Sequence, residues 1–184
     1  MGPQDHNARH RRGRSSDDPL DQISQEHLRQ REVCAILDKL AALDRPDPGL
    51  AAGVLPHFDT LLARHVHDEE DDLFPLLLRR SDPGDDLNDT LDRLARSHSE
   101  SLELAGRVRG IVRSMAHDSA LPDADEAAAL IGFAGHERRY LIVESAIVLP
   151  LARARLTDGD LRVLGARMQQ RRTEHDTGGS NDDK

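Results

Sequence analysis

Seven side chains in this sequence have the types and spacings needed to hold metal ions: His27, His65, Glu69, His98, His136, Tyr140 and Glu144. In an α-helix, residues i and i+4 lie one turn apart on the same face, roughly 5–6 Å between Cβ atoms. His65 and Glu69 can therefore aim an imidazole and a carboxylate at one point. Tyr140 and Glu144 repeat that spacing with a phenol, and His136 lies one turn earlier. Glutamate is almost never fully buried without a partner, and buried imidazoles are usually hydrogen-bonded. A buried set of such groups calls for a positive charge or a complete hydrogen-bond network, and a bound cation is the simplest way to meet that demand. Carboxylates from two different helices can bridge two ions while imidazoles complete each ion's shell. Imidazole and carboxylate without thiolate suit iron, manganese or zinc, and the ligand number favours iron.

The elements that must position these groups are helices. Pro, Gly and Asp clusters at 44–49, 81–86 and 117–125 divide the interior into apolar-periodic segments. The first helix is expected over 18–43, capped by Asp17 or Asp18 with Pro19 in its first turn, where a missing N–H does no harm. Its stripe is Leu20, Ile23, Cys34, Leu37 and Ala41, with His27 among them. The second, 49–80, has Val54, Phe58, Leu61, Leu62, Leu73 and Leu76 on the side of His65 and Glu69. The third, 86–116, shows Leu87, Leu91, Leu94, Leu102, Ala105 and Val108 around His98. The fourth, 124–150 or slightly beyond, has Ala129, Phe133, Ile147 and Leu151 in register with His136, Tyr140 and Glu144. A short fifth helix, 158–171, opens on Thr157-x-x-Asp160, an acidic form of the capping box. Pro75 and Pro150 should kink or end their helices, since each removes an N–H and crowds the preceding turn. The fold expected is all-α: an up-down-up-down four-helix bundle with a short C-terminal fifth helix.

Composition agrees. The chain has 184 residues, enough for one domain with a real core, and contains one Tyr, three Phe and no Trp. Strands normally draw on more aromatic side chains, so the Leu/Ala/Val/Ile palette points to helix. The domain is placed at 18–172, with disordered tails at 1–17 and 173–184. A net charge of −9 argues against nucleic acid as a partner. No apolar run of about 18 residues is present, so no membrane span is expected, and the Arg/His-rich N-terminus lacks a secretory apolar segment. The single cysteine, Cys34, excludes an internal disulfide or a Cys-rich metal site and fits a reducing cytoplasm. Serine-hydrolase, P-loop and Rossmann motifs are absent.

Other polar residues have plainer readings. His57 is read as surface or secondary, and His67, roughly 200° around the helix from His65, as solvent-facing. Glu70, Asp71 and Asp72 read as a solvated acidic face or an iron-entry region. Cys34 reads as packing, and the basic "ARMQQRR" at 166–172 as favourable placement at a helix C-terminus.

His27, "HVHDEEDDLFP" at 65–75, "RSHSE" at 96–100 and "GHERRYLIVESAIVLPLA" at 135–152 together resemble the hemerythrin-like, HHE cation-binding family. That family's pattern is one His, then H-x-x-x-E, then one His, then a second H-x-x-x-E. Leu-Phe-Pro after the first pair recurs as Val148-Leu149-Pro150 after the second, each proline six residues past its glutamate. The resemblance covers about residues 18–155 and implies a non-haem centre of two irons, oxo- or hydroxo-bridged, rather than zinc or manganese. It also implies a small diatomic or peroxide ligand. The departure is Tyr140, which stands where the second pair should begin with His. Three arrangements follow: the phenolate ligates, His136 supplies the imidazole, or one iron keeps a vacant position. A phenolate would favour ferric iron, and with it redox or peroxide chemistry over reversible oxygen carriage.

Overall fold

The computed structural model describes residues 18–82 and 87–178, with side chains as far as residue 174. All of its regular structure is helical: α1 (Pro19–Ala41), the short α2 (Pro48–Ala52), α3 (57–80), α4 (Leu87–His117), α5 (124–155) and α6 (Asp158–Gly178). Caps set the boundaries. The Asp18 carboxylate accepts from the Leu20 N–H at 2.9 Å, with Pro19 opening α1. Asp123 and Glu126 form a reciprocal capping box at the start of α5. Thr157 and Asp160 do the same for α6. None of the helices is long and apolar enough to cross a membrane among the described residues.

The helices form a bundle in which α1 and α4 both pack along α5, and α6 lies against α1 and the middle of α3. Two apolar clusters result. One gathers Leu20, Ile23, Leu77, Leu91, Leu94 and Leu164. The other gathers Cys34, Leu37, Leu62, Val108, Val112 and Phe133. Between them lies a polar layer: along α1, His27 falls between Ile23 and Cys34, and along α4, His98 falls between Leu94 and Ala105. Burying one Leu contributes about 1.5–3 kcal/mol, so these two clusters hold together a layer that could not hold itself.

Pro75 and Pro150 do not end their helices, which continue to Arg80 and Arg155. A wide π-type turn precedes each proline instead. The Phe74 N–H bonds the Glu69 carbonyl and the Leu149 N–H bonds the Glu144 carbonyl, each spanning five residues rather than four. An extra residue in the turn absorbs the donor that the proline lacks and relieves its clash with the carbonyl four residues back. A third wide turn, His57–Leu61, has no proline after it.

Two stripe positions differ from expectation. Leu102 and Ile147 are exposed. Ser101 takes the inward place on α4, and on α5 the wide turn after Glu144 resets the helical phase so that Val148 points in. The last helix is also longer than the expected 158–171, running through residue 173 to Gly178, with Gln170 and Glu174 paired along its side. The expected tail at 1–17 and the end of the C-terminal one, 179–184, lie outside the described residues.

Candidate metal centre

His27, His65, Glu69 and Glu144 each place one ligand atom within 4.8 Å of all the others, and all four are buried. α1 supplies His27, α3 supplies His65 and Glu69, and α5 supplies Glu144. His98 of α4 joins them, its Nε2 lying 2.8 Å from Glu144 Oε1 and 3.5 Å from Glu69 Oε2. His27 Nε2 lies 3.2 Å from Glu69 Oε1 and 3.4 Å from Glu144 Oε2, and His65 Nε2 lies 3.8 Å from Glu69 Oε1. Each glutamate thus turns one oxygen toward the His27 side and the other toward His98.

Both glutamates begin or lie within the wide turns. The turn fixes the glutamate's own carbonyl to the N–H just before the proline, so the proline six residues on helps aim the carboxylate.

The outer nitrogen of each imidazole is also held. His65 Nδ1 lies 3.2 Å from Glu26 Oε2, His98 Nδ1 2.8 Å from Glu70 Oε1, and His27 Nδ1 3.3 Å from Ser145 Oγ. Such contacts fix the ring and leave Nε2 as the inward atom, as metal-ligating histidines require. Arg172 of α6 donates to the second oxygen of Glu26 at 2.8 Å. Beside it, Arg171 bonds Asp68 and Asp72, and Arg167 bonds Asp72 at 2.7 Å.

Electrostatics show what the cluster lacks. Burial would lower His65 and His98, but the facing carboxylates outweigh it and lift them to about 9 and about 10. Burial would raise Glu69, yet His65 and His27 hold it down at about 2. Glu144 is pushed up to about 8 by burial and by the Glu69 carboxylate. Protons on imidazoles thus stand in for a missing positive charge. They satisfy it incompletely, because His65 Nε2, Glu69 Oε2 and Glu144 Oε2 are buried without a hydrogen-bond partner. Three orphaned atoms within one buried cluster, all nitrogen or carboxylate oxygen, fit a divalent or trivalent cation.

Two of the seven sequence candidates are directed elsewhere. His136 Nε2 donates to the Ser97 carbonyl at 2.9 Å, and its other nitrogen lies 3.7 Å from Glu100, so the ring is engaged with α4. Tyr140 donates its phenolic proton to Glu137 Oε2 at 2.7 Å, with Gln30 Oε1 at 3.3 Å, while its ring stands edge-on to His98. Burial and the Glu137 carboxylate push this phenol well above its usual range.

Sequence reasoning passed over Glu137, which is fully buried and also takes a hydrogen bond from Ser101 at 2.5 Å. Its spacing of three from Tyr140 and seven from Glu144 puts all three on one helix face, a signal that was available. His57 is buried rather than on the surface, its ring edge-on to Phe58, and burial lowers it to about 4. Asp72 is buried rather than solvated, because Arg167 and Arg171 cover it, whereas Asp71 stays exposed and pairs with the exposed His67. The basic run at 166–172 therefore serves as a clamp on α3 as well as a helix end. Cys34 lies in the apolar cluster, and burial pushes its thiol up to about 12.

No curated protein matches the chain. Residues 18–152 match the family model of the hemerythrin HHE cation-binding domain, which spans all four site helices and stops short of α6. A helical bundle with a buried His/Glu cation site, this chain belongs to the hemerythrin HHE cation-binding family.

Proposed function

We propose that the chain is a non-haem di-iron protein that binds a small ligand (dioxygen, nitric oxide or peroxide) in oxygen, nitric-oxide or oxidative-stress handling. The observation that carries the reading is the split of the two glutamates. Glu69 Oε1 and Glu144 Oε2 face His27, while Glu69 Oε2 and Glu144 Oε1 face His98. Two carboxylates that each present one oxygen to either side are disposed to bridge a pair of ions. The donor set holds no thiolate, which favours iron with its affinity for imidazole and carboxylate.

The two halves are unequal. His27 and His65 serve one side, whereas His98 is the one imidazole on the other. An ion held on the His98 side would receive fewer side-chain ligands from this chain, which would leave room there for a small ligand. When bound, the iron pair supplies the redox chemistry. The chain's own residues orient the imidazoles through Glu26, Glu70 and Ser145 and keep water out with the apolar clusters on either side. The lone buried cysteine accords with a cytoplasmic setting.

Iron-to-protein stoichiometry, with absorption spectra before and after dithionite, tests this reading. Two irons per chain with a dithionite-sensitive spectrum are expected. Zinc without iron would replace the reading with a structural zinc bundle.

A second reading, a redox or oxygen sensor or iron reservoir acting through a protein partner, is favoured by one contact chain. His65 is held by Glu26, and Glu26 by Arg172 of α6, so the centre is tied to a surface helix beyond the family match. Hydrogen peroxide turnover by the iron-loaded protein separates the two: sustained turnover supports the first, and binding without turnover the second.

A further inference from the structure

Tyr140 sits between the metal cluster and the outside. Its ring is 3 % exposed and stands edge-on to the His98 imidazole, centroids 5.2 Å apart. Its hydroxyl is 2.7 Å from Glu137 Oε2, and the other Glu137 oxygen is held by Ser101. It also helps line a cavity of about 360 Å³ between α4 and α5, together with Leu94 and Val143 and the exposed Arg93 and Arg139. A phenol hydrogen-bonded to a buried carboxylate, in ring contact with a ligand-type imidazole, is built to lose an electron and a proton together. A fixed hydrogen-bond donor to protein structure would not need the carboxylate, which stays buried without a cationic partner in its hydrogen-bond contacts.

We propose that Tyr140 is a redox-active tyrosine that gives one electron to the peroxide-oxidised metal centre through His98 while its proton moves to Glu137. The proposal rests on the di-iron reading above. In the step the phenolic O–H bond breaks and an O–H bond forms on Glu137 Oε2. One electron leaves the ring, the oxidised centre takes it and falls by one oxidising equivalent, and a neutral phenoxyl radical remains. A one-electron organic donor, favoured as an anion by the exposed Arg93 and Arg139 that line the cavity, returns the electron, and Glu137 returns the proton. Glu137 acts through Tyr140 and is a positioning residue and proton acceptor. The 2.7 Å contact makes that transfer a movement along an existing hydrogen bond.

The chain offers an unusually clean test, because Tyr140 is its only tyrosine and it contains no tryptophan. The full chain is loaded with iron, its iron content measured, treated with one equivalent of hydrogen peroxide and frozen for electron paramagnetic resonance. A phenoxyl signal is expected, lost entirely in Tyr140→Phe at unchanged iron content and reduced at least about tenfold in Glu137→Gln. Protein grown with 3-fluorotyrosine needs no substitution, and the fluorine should split the signal. Failure to load iron would overturn both this proposal and the di-iron reading. Iron loading and oxidation with no radical, or with a radical that survives in Tyr140→Phe, would overturn this proposal alone.

Discussion

Removing the cation should destabilise the fold by an amount the structure allows one to estimate. The perturbation is exhaustive chelation of the iron-loaded protein. In the metal-free cluster, His65 Nε2, Glu69 Oε2 and Glu144 Oε2 are buried without hydrogen-bond partners. Each such atom costs about 1–3 kcal/mol, giving roughly 3–9 kcal/mol for the three. That is a large part of the roughly 5–15 kcal/mol by which domains are stable. For a domain of this size, each kcal/mol moves the melting temperature by about 2–4 °C, so the metal-free form should melt roughly 6–36 °C lower. The assay is thermal unfolding by circular dichroism of iron-loaded, chelated and reloaded protein, with magnesium as the hard-cation control. The double variant Glu69→Gln, Glu144→Gln should lose most of the iron-dependent increment, since it removes both carboxylates that the ion would join. If loaded and stripped protein melt within about 2 °C of each other, the orphaned atoms are not waiting for a cation and the argument from burial fails.

Three further outcomes are expected. Arg172→Ala should weaken iron binding by about 10–100-fold, because it frees Glu26 and with it the His65 ring; competition with a coloured chelator reads this directly. Pro150→Ala permits a regular turn after Glu144, so iron affinity should fall while helix content by circular dichroism is kept; equal affinity would separate the proline from the aiming of the carboxylate. Cys34, 1 % exposed with its thiol raised to about 12, should resist a thiol-specific disulfide reagent at neutral pH in the folded protein and react fully in denaturant.

Much of this site was legible because helical spacing is a rigid rule. His65 with Glu69, and Glu144 a similar distance before its own proline, fall on inward faces whatever the details of packing, and His27 and His98 sit inside apolar stripes. Tyr140 could be placed in the layer but not given a role, because that depends on which neighbour its hydroxyl reaches. Only the folded chain shows that Glu137, three residues back, is the nearer acceptor. The burial of Asp68 and Asp72 was not legible from the acidic run itself. Their partners, Arg167, Arg171 and Arg172, are about a hundred residues away in sequence, and local patterning carries no information about that pairing. The exposure of Ile147 was hidden for a different reason: a period of 3.6 assumes an unbroken α-helix, and the wide turn after Glu144 breaks it.

The same two prolines that looked like helix terminators turn out to connect sequence to chemistry. A proline deep in a helix leaves one carbonyl without its usual donor and presses on the turn behind it. The cheapest repair is a wider turn, and it falls on Asp68–Leu73 and on Glu144–Val148, the stretches that carry the paired carboxylates. Wide turns are rare inside α-helices and recur at functional sites. Here each lies between a glutamate and its proline, so the turn that accommodates the proline also sets the backbone that carries the carboxylate.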